Sequence, residues 1–357
     1  MINLHVHDRD WEQDYRETIK HALSVADRIG SSAIFVMPNT KPAIISRELV
    51  ERRLDDAREA QKELGTDVFY GVYIGLTANP GQVREAVRTY RYFFPCGFRN
   101  AEAGTIGMKL YAGPSTGNLE VTLEEDQAKI YETLASEGYR GVISVHCEDV
   151  DYFRPDLWDP ERPWTHGLVR PKESEIYEVK RQIRLARKAR FPGHLHITHS
   201  SVPKTIELVL QAKEKGMSIS CGVTPHHCIL SVEDMKEDRD LGLIRKVNPP
   251  LRSEEDRREM WQYLIDGKID VIGTDHAPHT LGEKNGRDSY NSGFPGLPFL
   301  PHFLNRLREE CVSEEQIFGL THTNIEDVFG IKFKRRDVEP QLDLHEEYEI
   351  DAYLGFR

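Results

Sequence analysis

The chain has 357 residues, 39% of them hydrophobic and 30% charged, with a formal net charge of −12. That length supports one large core with room for long loops. An acidic, mixed-sign surface with no Lys/Arg block excludes nucleic acid and anionic membrane as natural partners. No stretch approaches the ~20 apolar residues of a membrane span. The opening MINLHVHD has neither a basic nor an apolar leader region. The five cysteines (Cys96, Cys147, Cys221, Cys228 and Cys311) are odd in number and form no CxxC pair. They read as reduced thiols in a cytoplasm.

Short β-branched runs alternate with amphipathic helical stretches along the chain. Strands are expected at residues 2–7, 33–37, 68–76, 107–111, 142–147, 194–199, 218–224 and 269–274. Helical spacing links Tyr15, Ile19, Leu23 and Ala26, and again Ile206, Val209, Leu210 and Lys213. Eight strands with crossover helices predict an α/β chain folded as a (β/α)8 TIM-type barrel with long loops at its C-terminal face. A doubly wound open sheet would carry a Gly-rich phosphate turn after the first strand, where this chain has HVHDRD. Residues 1–336 are expected to form the barrel and residues 337–357 a short tail, too short for more than a strand or two. Residues 152–171 and 278–295 read as long loops on the face where barrels keep their sites. Within the first, residues 156–164 suit a lid or a cover for the helix layer.

The polar residues at the strand ends carry the chemistry. His5 and His7 close the first strand and, by alternation, share a face inside the barrel. Lys109 sits in the fourth strand, His146 ends the fifth, His199 ends the sixth and Asp275 ends the eighth. Imidazoles and a carboxylate converging there suit a divalent transition metal, with Zn²⁺ the best match. One histidine alone is more often a core or surface residue; the joint placement is what argues for metal. Lys109 has two readings: an ammonium paired with a carboxylate, or an amine that has taken up carbon dioxide as a carbamate able to bridge two metals. Two such metals would acidify a water and polarise a carbonyl.

The segments HVHDRD, MPNT, GMKLYAGPSTGN, VHCED, VTPHHCILS, KVNPPLRSEEDRR, GTDHAPHT and GFPGL resemble dihydroorotase motifs in order and approximate spacing. The resemblance runs from residue 5 to about residue 300. It implies one or two Zn²⁺, with His5, His7 and Asp275 on one metal, His146 and His199 on the other, and a carboxylated Lys109 between. His199 is preferred over His194 and His196 by its offset from the PHH motif. His196 is expected to face away from the site as a structural residue. Asp275 would serve as general base and acid. Arg9, Asn39 and His279 resemble carboxylate contacts, Asn248 a ring-amide contact, and Thr116 a loop threonine over the substrate. His226 and His227 read as hydrogen-bonded support, and Cys147 as pointing away. Asp8 stands where such sequences often have an apolar residue. With His5 so near the start, the N-terminal half of the β-sandwich found in many relatives is not expected.

The reaction implied is reversible hydrolysis of the ring amide of L-dihydroorotate to N-carbamoyl-L-aspartate, in pyrimidine synthesis. The expected partners are that small molecule and, beyond it, a homo-oligomer or an associated pathway enzyme. The rivals are a cyclic amidase of the hydantoinase, allantoinase or dihydropyrimidinase type, and a catalytically silent scaffold. A neutral ring has no use for the Arg9, Asn39 and His279 clamp, and a scaffold would tolerate loss of ligands that are all present here.

Overall fold

The computed structural model describes residues 1–94, 102–114 and 117–357. Its eight strands are β1 (Ile2–Val6), β2 (Ala33–Val36), β3 (Phe69–Gly75), β4 (Ala103–Tyr111), β5 (Val142–His146), β6 (His194–Ile197), β7 (Ile219–Val223) and β8 (Val271–Ile272). Each pairs in parallel with the next, in the order β1 to β8. Helices such as Arg47–Leu64, Lys172–Lys188 and Pro203–Glu214 return the chain between them. This is the (β/α)8 barrel.

The seam between β8 and β1 is short, and side chains help to close it. Asn3 Nδ2 donates to Thr274 Oγ1 (2.7 Å), and the His7 amide donates to the His276 carbonyl (2.7 Å). β4 begins four residues before the expected start, pairing Ala103 with Tyr70, and its register against β3 shifts between Val72 and Tyr73. The first helix starts at Ile19, where Thr18 Oγ1 accepts from the His21 amide. Tyr15, which the spacing had included, lies before that cap and is exposed.

Two apolar layers result from the pleat. Outward residues such as Val36, Val72, Leu110, Val145 and Ile197 pack under the helices. Inward residues near the strand starts, including Leu4, Phe35, Tyr73 and Ile106, fill the barrel floor. Ile325, Phe329 and Ile331, from the C-terminal part of the chain, complete that floor. The Phe329 ring meets Phe35 edge-on at 5.0 Å. Residues 337–357 carry one 3-10 turn, Leu344–Glu347, and no strand. They lie along the barrel, where Tyr353 stacks on Phe299 at 3.8 Å. Arg245 holds the carbonyls of Ala352 and Leu354. No helix among the described residues is long and apolar enough to cross a membrane.

Removing the Phe329 ring leaves a cavity that the rigid floor cannot close. Phe329→Ala is expected to lower unfolding free energy by about 3–5 kcal/mol, measured by urea denaturation.

A candidate active site at the barrel mouth

The strand ends open into a cavity of about 450 Å³ lined by His5, His7, His146, His199 and Asp275, with Arg9, Asn39 and Asn248 on its wall. Asp275 and His199 lie just past their strands in left-handed backbone, at φ 48° and 35°. For residues with a Cβ this costs on the order of 1–3 kcal/mol each, and such strain concentrates at functional sites. Here it turns both side chains inward.

Asp275 Oδ1 lies 3.2 Å from His5 Nε2 and 3.1 Å from His7 Nε2. The ligand atoms of this trio all fall within 4.8 Å of one another. His7 donates its Nδ1–H to Asn39 Oδ1 (2.7 Å), so its Nε2 presents a bare lone pair to the carboxylate. His146 likewise donates Nε2–H to Glu148 (2.8 Å), leaving Nδ1 bare and 3.1 Å from His199 Nε2. Burial lowers the basicity of His7 and His146, and holds His5 and His199 well below the usual imidazole range. Imidazole nitrogens and a carboxylate oxygen about 3 Å apart, on rings whose burial opposes protonation, suit a cation between them. The buried, unpartnered His199 Nδ1 and Tyr111 hydroxyl are consistent with further ligation or hydrogen bonding there. The donor set therefore fits divalent metal.

Lys109 is fully buried, and its ammonium makes one hydrogen bond, to Thr198 Oγ1 at 3.3 Å. No carboxylate lies in ion-pair reach of it among the described residues, although the charge of Asp275 acts on it. Burial lowers the amine to about 7.

Arg9 follows two residues after His7, in a run of three left-handed residues, Arg9, Asp10 and Trp11. The run is fixed from beneath. Asp8, fully buried, bonds both Arg53 and the Tyr70 hydroxyl, and Arg53 also donates to the Arg9 carbonyl. Asp8 thus replaces an expected apolar residue because a helix arginine reaches it. Burial, with Arg16 nearby, lowers the Arg9 guanidinium to about 10, so it stays charged at neutral pH. No carboxylate pairs with it among the described residues. It donates to the Pro278 carbonyl (3.3 Å) and to His279 Nε2 (3.2 Å).

Other expected residues fall in different places. His279 does not reach the cavity wall. Its Nδ1 donates to Glu283 (3.2 Å) and its Nε2 accepts from Arg9, while burial lowers it to about 3. Glu283 in turn pairs with Arg16. His279 is therefore a neutral group held behind Arg9. Asn248 accepts from His166 Nε2 (2.9 Å) through Oδ1, which leaves its amide hydrogens for the cavity. Thr116 lies outside the described residues. His196 faces the barrel interior, not away: Leu195 and Ile197 take the outer layer. Its Nδ1 bonds Ser220 Oγ at 2.8 Å beneath the cluster. His227 links Thr224 to the Pro249 carbonyl, and Cys147 packs in the outer layer. Trp158, from residues 156–164, packs on His166 and Tyr290 beside the cavity rather than over the helices.

Arg170, Lys246, Tyr111 and the segment from Tyr290 to Gly293 also line the cavity. Glu148 and Lys246 stood within the motifs VHCED and KVNPPLR, where position relative to a ligand was their only signal. Arg170 had none.

No family model matches the chain. Among solved structures, the L-hydantoinase of Arthrobacter aurescens superposes with a TM-score of 0.79 at 22% identity, over 96% of this chain and 73% of that one. A Saccharomyces cerevisiae dihydroorotase solved with 5-fluoroorotic acid superposes with a TM-score of 0.70 at 18% identity, over 93% and 84%. These establish the fold. Barrel and site together define a metal-dependent hydrolase of cyclic amides. A Brevibacillus brevis dihydroorotase is 32% identical over 352 residues, 96% of this chain and 76% of that protein. One from Thermococcus kodakarensis is 32% identical over 333 residues, 93% and 68%. The chain belongs to the dihydroorotase family.

Asn39 and Glu148 set which nitrogen each histidine presents. Asn39→Ala and Glu148→Ala are each expected to weaken divalent-metal affinity about 10–100-fold, read by competition with a chromogenic chelator.

Proposed function

We propose that the protein catalyses reversible hydrolysis of the ring amide of L-dihydroorotate to N-carbamoyl-L-aspartate, in pyrimidine synthesis. The observation that carries this reading is Arg9: a buried guanidinium with no carboxylate partner among the described residues, lining the same cavity as the histidine–aspartate cluster. A guanidinium so held offers a fork to a ligand carboxylate, which dihydroorotate has and a hydantoin or allantoin ring lacks. Residues 1–336 are taken as the catalytic unit and residues 337–357 as a tail laid against it. The buried, unpaired Cys147, Cys221 and Cys228 accord with a cytoplasmic setting.

His5, His7 and Asp275 would hold one Zn²⁺ and His146 and His199 a second, with Lys109 between them as a carbamate; bound there, the metal would polarise the amide carbonyl and acidify water. The chain's own residues do the rest. Arg9 fixes the ring through its carboxylate, and the free amide hydrogens of Asn248 meet a ring carbonyl. Asp275 takes a proton from the attacking water at its carboxylate and delivers it to the ring nitrogen as the carbon–nitrogen bond breaks. Water thus adds its hydroxyl to the carbonyl carbon and a hydrogen to the nitrogen, giving a ureido group and a carboxylic acid that releases its proton to solvent as the carboxylate. In the closing direction the same carboxylate moves the proton back.

The direct test incubates metal-reconstituted protein with dihydroorotate, hydantoin and allantoin in parallel; turnover confined to the latter two would overturn the reading. Arg9→Met is expected to reduce kcat/KM for dihydroorotate by roughly 2–5 kcal/mol while leaving neutral dihydrouracil little affected. Equal losses on both would make Arg9 structural. Asp275→Asn, which removes the proton acceptor, is expected to reduce kcat at least ~10²–10⁴-fold in steady-state assays that still register substrate binding.

A further inference from the structure

Three cations line the cavity, Arg9, Arg170 and Lys246, against one carboxylate among its described lining residues, Asp275. Arg170 is already paired, lying 3.4 Å from Glu148 and donating to the Pro114 carbonyl. Lys246 is not. Its ammonium donates to the Tyr290 carbonyl (2.7 Å) and to Ser292 Oγ (3.0 Å) and sits over the Trp158 ring, with no carboxylate in ion-pair reach among the described residues. An ammonium has three hydrogens, and two are used. A largely desolvated cation without a counter-charge is costly unless a ligand supplies one.

A purely structural role would be to prop residues 290–293. That wall is already held by other groups. Lys284, fully buried, donates to the carbonyls of Lys246 (2.9 Å) and Gly293 (2.8 Å), and the Gly293 amide donates to the Lys246 carbonyl (2.9 Å). The position of Ser292 is the more telling feature. Its Oγ accepts from Lys246, and its carbonyl lies 3.1 Å from Nε2 of His279, the same nitrogen that accepts from Arg9. Lys246 thus holds Ser292 directly, Arg9 is linked to it through His279, and both cations line the same cavity.

We propose that Lys246 is a second cation for the substrate's carboxylate, acting together with Arg9 in the same cavity. This rests on the reaction proposed above and adds a specificity residue to it. Burial and the neighbouring Arg170 lower the free amine to about 7, a cost that an incoming carboxylate relieves. The carboxylate is unchanged by the reaction, so its binding is felt about equally in ground and transition states, and its loss falls on KM more than on kcat.

The test uses the full, metal-reconstituted chain with Lys246→Gln, which keeps a donor for the Tyr290 carbonyl but loses the charge, and Lys246→Arg, which restores it. KM for dihydroorotate is expected to rise at least about 10-fold in Lys246→Gln and to recover in Lys246→Arg. The inhibition constant of neutral 5,6-dihydrouracil should stay within about two-fold in both. Equal weakening of both ligands, or an unmoved KM, would overturn the inference and leave the reaction standing. A wild-type chain that fails to turn over dihydroorotate would overturn both, and is seen before any variant is made.

Discussion

At the mouth of this barrel, the nitrogens of buried imidazoles converge on one another and on a carboxylate. His7 has given its only N–H to Asn39, and His146 has given its own to Glu148. What remains is an imidazole nitrogen against a carboxylate oxygen, and a second imidazole nitrogen against a third, each about 3 Å apart. Protonating the rings would relieve the first contact, but burial opposes it. A divalent cation relieves it and gives the converging nitrogens a common partner. Asn39 and Glu148 therefore decide the chemistry of the centre without belonging to it, and the strained turns at His199 and Asp275 are the backbone's contribution to the same end.

The recognition side is organised by a chain of alternating charge. Arg16 pairs with Glu283, Glu283 accepts from His279, and His279 accepts from Arg9. Against the upward push of burial, the His279 and Arg16 hydrogen bonds hold Glu283 well below the usual carboxylate range. Glu283 can therefore keep His279 in the tautomer that accepts from Arg9. Beneath, the Asp8–Arg53 pair anchors the turn from which Arg9 projects. A guanidinium fixed from both sides loses little entropy when it meets a ligand.

Much of this was legible from sequence because barrels impose a simple rule: polar residues at strand ends converge. The eight strands, the pairing of His5 with His7, and the approach of Asp275 follow from alternation and chain order. What was hidden needed distances across the fold. His196 was read as outward-facing, yet Leu195 and Ile197 take the outer layer and turn it in. The hydrogen bond between His279 and Glu283, and through it the tie to Arg16, is not signalled by spacing along the chain. Arg53 lies 45 residues from Asp8, and nothing local marks the pair. Lys246 stood in plain view within KVNPPLR, but that no carboxylate answers it can be known only once its neighbours are in place.

The aromatic floor has a consequence for how the protein is made. β1 waits for its last neighbour until Val271 and Ile272 have been synthesised, and the floor beneath the strands waits longer, for Ile325, Phe329 and Ile331. A nascent chain emerging from the ribosome therefore exposes an open sheet edge and a hollow apolar centre through most of translation. Such intermediates are the species that aggregate or recruit chaperones. The last contacts of the barrel and its floor thus come from residues 271–331, so a translational pause near residue 270 would prolong the stage in which that edge and centre stay uncovered.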